Sequence, residues 1–277
     1  NRPDLVEQWS DEEVARRWWN LFPQRKDDRG RPAKPEPHEL RMLTADRNRL
    51  QELRRRLSHI SWFMRCLAEH IARRANREDE TTGRFWAGRF TMVRLLDESA
   101  LLACSIYVDL NPIRAGIAKT PETSRYTSAY DRIHAEKARR GKKGRRAKSG
   151  SSRSAAARLD SWLSPLTLDE TGTDLDGHPR RRASNKGFLP LAWEEYMRLL
   201  DWTGRQIRQG KRGSIPTDLA PILDRLQIVP DAWTSVVSHF GRWFGTAAGR
   251  TEALAAEASR RHRQWLQGTS RSRLVFA

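Results

Sequence analysis

Cysteine, histidine pairs and long apolar runs are scarce in this sequence, and each shortage excludes something. Its two cysteines, Cys66 and Cys104, stand singly inside apolar helical patterns, with no CxxC and no paired framework. That excludes a disulfide scaffold and a cysteine zinc site, and predicts reduced thiols in a cytoplasmic protein. There is no run of about 18 apolar residues, and no basic stretch has the broad apolar face of an interfacial helix, so no membrane partner is expected. The opening residues show no charged-then-apolar leader. The seven histidines, at 38, 59, 70, 134, 178, 239 and 262, include no His-x-His pair.

What the chain does have is positive charge. Fifty-two Lys and Arg against 34 Asp and Glu give a net charge of +18 over 277 residues. Such an excess acts on polyanions through long-range attraction and counterion release. With membranes set aside, nucleic acid is the expected partner and the nucleoid the expected place.

Punctuation along the chain divides it into helices and connectors. Ser10, three residues before Glu13, has the spacing of a capping box and predicts a helix that ends before Pro23. The Pro- and charge-rich stretch at about 23–43 predicts a loop or insertion. A second helix is expected from Thr44 through Leu50, Leu53 and Leu57. A long third one carries Ile60, Phe63, Met64, Leu67 and Ile71 as one apolar stripe. Phe90 to Leu96 predicts a strand, and Asp97 is placed to cap a helix over 98–110.

That last helix is the informative one. In LLACSIYVDLNPIRAG, residues 101–116, the apolar ridge Leu102, Ile106 and Leu110 predicts a core face. Ala103, Tyr107 and Asn111 line up about 100 degrees round it. Tyr107 and Asn111, four residues apart, therefore share a face, and Pro112 is expected to stop the helix. Taken alone, Tyr107 suits a half-buried packing residue as well as a reactive phenol, and Asn111 suits a helix cap as well as a ligand. Arg89 could serve a phosphate or pair with Asp97, and Arg114 has the same two choices: a phosphate or a partner in the protein.

The ordered run Trp86, Arg89 and Phe90, an acidic-capped helix with Tyr107, then Asn111 to Gly116 as Asn-Pro-x-Arg-Ala-Gly, resembles the REP-associated tyrosine transposases. These belong to the single-tyrosine HUH-class insertion-sequence transposases. Tyr126 to Tyr130 resembles the aromatic-Ser segment that closes such domains, and the likeness spans roughly residues 58–133. The resemblance implies an α+β domain with a ferredoxin-like core, represented here mainly by its helices and last strand. It implies single-stranded DNA cleavage and strand transfer through a 5′-phosphotyrosine, with Tyr107 as the nucleophile, and hairpin DNA as the recognised end. It also implies Mg²⁺ or Mn²⁺, held by a His-hydrophobic-His strand with Asn111 as helper. Since that strand is absent, the pair is expected upstream of Asn1, and the chain as it stands is expected neither to bind the ion tightly nor to cleave DNA. A non-catalytic DNA-binding relic or domesticated relative is the alternative, and an RNA-binding helical protein a third.

The domain organisation expected is 1–135 for the C-terminal part of the transposase-like domain, 136–187 for a basic flexible linker, and 188–268 for an all-α module of unknown role. Residues 136–158 hold ten Lys or Arg and a single Glu. Arg139, Arg140, Lys142, Lys143, Arg145 and Arg146, with Arg89 and Arg114, are the candidate nucleic-acid contacts. A homodimer is compatible with this organisation.

Overall fold

A computed structural model describes residues 3–140, 156, 158–167, 187–209 and 220–276. The described chain is mostly helical with one small two-stranded parallel sheet, and none of its helices is long and apolar enough to cross a membrane. It divides into two compact units, Asn1–Phe90 and Thr91–Ala277.

In the first unit α1 (Pro3–Glu7), α2 (Asp11–Leu21), α3 (Pro37–Ala45) and α4 (Arg47–Ser58) close around Val14, Ala15, Trp19, Leu40, Leu43, Leu50 and Leu53. The expected cap is present: Ser10 Oγ accepts from the Glu13 backbone N–H at 3.2 Å. Part of the expected insertion is instead helical. Glu36 and Glu39 form a reciprocal capping box and Pro37 occupies the first turn, which nucleates α3 inside a stretch that its prolines had marked as a loop. Arg54 on α4 ties the helices together, donating to the Val6 carbonyl at 2.6 Å, the Trp9 carbonyl at 2.7 Å and Asp11 Oδ1 at 2.9 Å. It thereby serves the carbonyls left open at the end of α1.

α5 (Ile60–Glu78) forms with His59 as its cap, but its apolar stripe is not a core face. No residue of α5 is buried, and Phe63 is 60% exposed. The helix period was legible; what would cover the stripe is not among the described residues. The segment after it lies along α5, with Trp86 Nε1 donating to the Ala68 carbonyl and Asn76 to the Gly83 carbonyl.

The second unit is built on α6 (Glu98–Asp109), whose cap forms as expected, Asp97 Oδ1 accepting from the Ala100 N–H at 2.9 Å. Of the strand expected over 90–96, only β1 (Arg94–Leu95) forms, and it pairs in parallel with β2 (Ala247–Ala248). The second carboxylate oxygen of Asp97 accepts from the Arg250 backbone N–H. α7 (Asn111–Arg114) and α8 (Ser128–Arg140) follow, then α9 (Trp193–Gln209), α10 (Ala220–Arg225), α11 (Trp233–Trp243), α12 (Thr251–Arg260) and α13 (Thr269–Val275).

One core takes in Leu102, Ile106 and Leu110 of α6 with Tyr196 and Leu199 of α9 and Trp233, Val236, Val237 and Phe240 of α11. The expected boundaries at 135 and 187 are therefore not where the compact units divide. α6 is apolar on more than one side, with Ala100 and Ala103 fully buried as well, and a helix of that kind needs cover all round. Residues after 187 supply it. Nor does the expected linker begin at 136. α8 runs on to Arg140, Trp193 Nε1 donates to Glu136, and Arg132 donates to the Ser164 carbonyl.

Asp109, almost wholly buried, accepts from Tyr196 Oη at 2.7 Å, from Ser128 Oγ at 3.0 Å and from the Ala129 N–H at 3.3 Å. Burial pushes its carboxyl above the usual range, while the hydrogen bond from Tyr196, then those from Ala129 and Ser128, pull it back. The folded state thus binds this proton more tightly than the unfolded chain does. By linkage, Asp109 costs stability as pH rises above the ordinary carboxylate range. Urea denaturation from about pH 4 to about pH 7 should show wild type losing stability relative to Asp109→Asn as pH rises, and a constant gap would contradict this. Asp109→Ala, which deprives the buried Tyr196 hydroxyl of its acceptor, should cost about 2 kcal/mol or more.

Candidate functional site

The phenol, amide and guanidinium singled out in the sequence meet at the junction of α6 and α7. α6 ends at Asp109, Leu110 stays in the right-handed helical region, and α7 starts at Asn111. The expected stop at Pro112 is corrected. Pro112 falls in the first turn of α7, where a backbone N–H would have no intrahelical acceptor, so the helical path continues through it. The Arg114 N–H bonds the Leu110 carbonyl at 2.9 Å across the junction. Gly116, with φ +72°, then turns the chain away, a conformation that explains a glycine at the end of the motif.

Because the helical path continues, Tyr107, Asn111 and Arg114 share one face at i, i+4 and i+7. The Arg114 guanidinium carbon stands 4.7 Å from the centroid of the Tyr107 ring. Its Nη1 donates to Asn111 Oδ1 at 3.2 Å and its Nη2 to the Ser238 carbonyl on α11 at 2.8 Å. α11 forms the rest of the wall. The Phe240 ring lies 5.9 Å from that of Tyr107, tilted by 37°. At Gly241 a Cβ would come within 3.1 Å of the Tyr107 hydroxyl. Tyr107 is half-buried, while Asn111 and Arg114 are exposed. A partly covered phenol thus sits beneath a fixed positive charge at the protein surface.

Comparison with protein-family models, curated proteins and solved structures finds no match to this chain.

The other candidates have surroundings of their own. Arg89 is exposed in an irregular segment of the first unit, whereas Tyr107, Asn111 and Arg114 belong to the second. Arg139 makes a two-pronged pair with Asp160, both contacts at 3.0 Å, and Arg140 pairs with Glu136. These two arginines are held on a helix rather than carried on a loose arm. Lys142, Lys143, Arg145 and Arg146 lie outside the described residues. Burial pushes the Cys104 thiol up, consistent with an unreactive packing cysteine.

The donor set around Asn111 does not fit a divalent ion. Its amide oxygen already accepts from a cation, Arg114, and the described residues hold no group of three or more His, Cys, Asp or Glu side chains that could bind a metal.

The α11 wall was not foreseen from the sequence. Nothing at residues 238–241 marks them as neighbours of a tyrosine more than 130 positions earlier; only the i+7 spacing of Arg114 was available as a signal. A thermodynamic cycle tests the packing. Gly241→Ala should gain helix propensity, roughly 0.5–1 kcal/mol, but lose part of it against the Tyr107 hydroxyl. In a Tyr107→Phe background, where that oxygen is gone, the same substitution should raise the melting temperature further than in wild type. Equal shifts in both backgrounds would show that the two side chains do not meet.

Proposed function

We propose that this protein is a single-stranded DNA-binding protein of the single-tyrosine transposase class, with Tyr107 as the nucleophile of strand cleavage and transfer. The observation that carries the reading is the convergence of Tyr107, Asn111 and Arg114 on one helix face, within the motif that resembles that class. The net charge of +18 supports a nucleic-acid partner. The uncovered stripe of α5 supports a ferredoxin-like parent fold, since such a helix would lay that face on a sheet.

The chemistry follows from the residue types. In-line attack of Tyr107 Oη on a backbone phosphorus forms an O–P bond and breaks the bond to the 3′ oxygen. It leaves a 5′-phosphotyrosine and a 3′-hydroxyl, and the phenolic proton passes to the departing oxygen or to water. The number of phosphoester bonds is unchanged, so a 3′-hydroxyl can reverse the step and rejoin strands without ATP. Arg114 is the cation placed to offset charge on a phosphate brought to Tyr107. Its contacts to the Ser238 carbonyl and Asn111 hold it there in advance. Asn111 acts here by orienting Arg114.

A second reading, the non-catalytic DNA-binding relative, is favoured by one specific observation. The amide that the resemblance assigns to the metal is engaged by an arginine.

The test uses the protein together with whatever residues its source encodes upstream of Asn1, and single-stranded DNA of randomised sequence, labelled at its 3′ end, with Mg²⁺ present and adducts read on a denaturing gel. The transposase reading expects a labelled band that survives denaturation and disappears in Tyr107→Phe. A band that persists in Tyr107→Phe would remove Tyr107 from the role. Binding without any band, weakening steeply as salt rises, would favour the non-catalytic relative.

A further inference from the structure

Away from Tyr107, the second unit holds a group of charges that its fold does not require in that number. Glu257 on α12, with a side chain 4% exposed, is met by three arginines. Arg260 approaches with two donors at 2.8 and 2.6 Å, Arg261 with Nε at 2.7 Å, and Arg94 from β1 at 3.0 Å. One guanidinium would neutralise the carboxylate; three leave a local excess of two positive charges. Arg94 and Arg260 remain 53% and 60% exposed, so their unused N–H donors face solvent. The arginines are also held in place: Arg261 donates to Thr246 Oγ1 as well, and the hydrogen bonds from Arg260 and Arg261 draw the Glu257 carboxyl down to about 2 against its burial.

The chain that follows adds Arg263 and Trp265. Trp265 is 70% exposed, yet its neighbour Leu266 is anchored in a small core with Ala247, Leu254 and Ala258, next to Glu257. The Arg263 N–H bonds the Ala258 carbonyl at 2.9 Å, which holds this turn against the end of α12. A large aromatic ring is therefore held in water on the turn that follows the helix bearing this surplus positive charge. Single-stranded nucleic acid is the ligand that uses both, its phosphates meeting the guanidinia and a base stacking on the ring.

We propose that Arg94, Arg260 and Arg261, organised by Glu257, together with Trp265, form a binding surface for single-stranded DNA on the second unit. It rests on the reading of this chain as a DNA-binding protein but not on Tyr107 chemistry. Glu257 acts as the positioning residue: it orders the arginines at the cost of one of their three charges.

The test is fluorescence anisotropy of a labelled oligothymidylate with the full chain, titrated at several salt concentrations, with inorganic polyphosphate as a base-free polyanion. Trp265→Ala, an exposed substitution with little bearing on folding, should weaken oligothymidylate binding roughly five-fold or more, leave its salt dependence unchanged, and not alter polyphosphate binding. Arg94→Gln with Arg260→Gln, which leaves Arg261 for Glu257, should weaken both ligands and lower the slope of log affinity against log salt by about 1.4 for the oligonucleotide. Wild-type binding that neither variant changes would overturn this surface and leave the DNA reading intact. A wild-type chain that does not bind oligothymidylate at low salt would overturn both. Loss of polyphosphate and oligothymidylate binding in equal measure on Trp265→Ala would overturn the stacking role.

Discussion

The second unit depends on a carboxylate inside it. Asp109, the last residue of α6, takes hydrogen bonds from α8 through Ser128 and Ala129 and from α9 through Tyr196. Three helices are thereby referred to a single point, two residues from Tyr107. Burial of such a group is costly unless its hydrogen bonds are met, and here three donors meet them, so the position of α6 is specified rather than merely compatible with apolar packing. The Tyr196 hydroxyl, pushed well above its ordinary range by burial and then by Asp109, stays a proton donor to that carboxylate. The face that presents Tyr107, Asn111 and Arg114 inherits its orientation from this node.

The parts of this arrangement that were readable in the sequence are those governed by local rules. Ser10 and Asp97 cap helices where their spacing indicated, because a side-chain oxygen two or three residues before a helix's free N–H groups needs no distant partner. The shared face of Tyr107 and Asn111 likewise follows from helical geometry alone. Local rules failed where chain chemistry had two readings. Pro37 and Pro112 have the local signature of breaks, yet each sits in the first turn of a helix, the one helical place where proline fits. The strand expected over 90–96 shrank to two residues, because strand length is set by the partner, and β2 offers only Ala247 and Ala248.

Long-range pairing was the part that no local pattern encodes. Arg250 reaches Asp97, Ser238 holds one end of Arg114, and residues beyond 187 complete the core around α6. One local signal does bear on it: a helix apolar on several sides announces that it will be enclosed, and α6 has that composition. α5 shows the converse, a regular amphipathic stripe whose Phe63, Leu67 and Ile71 remain exposed, so periodicity indicates which face seeks burial without supplying the partner.

The pairing of β1 with β2 also has a bearing on the order in which the protein takes shape. Asp97 and Arg250 are 153 residues apart, and the strands beside them join chain segments with the same separation. During synthesis the internal contacts of the first unit can form once residue 90 has emerged, whereas α6 must wait for α11, β2 and α13 before it has a core to enter. Contacts at such sequence separation close slowly, since a long loop must be ordered before any pairing compensates for it. The helix that carries Tyr107 is thus among the first parts of its unit to be made and among the last to be fixed in place.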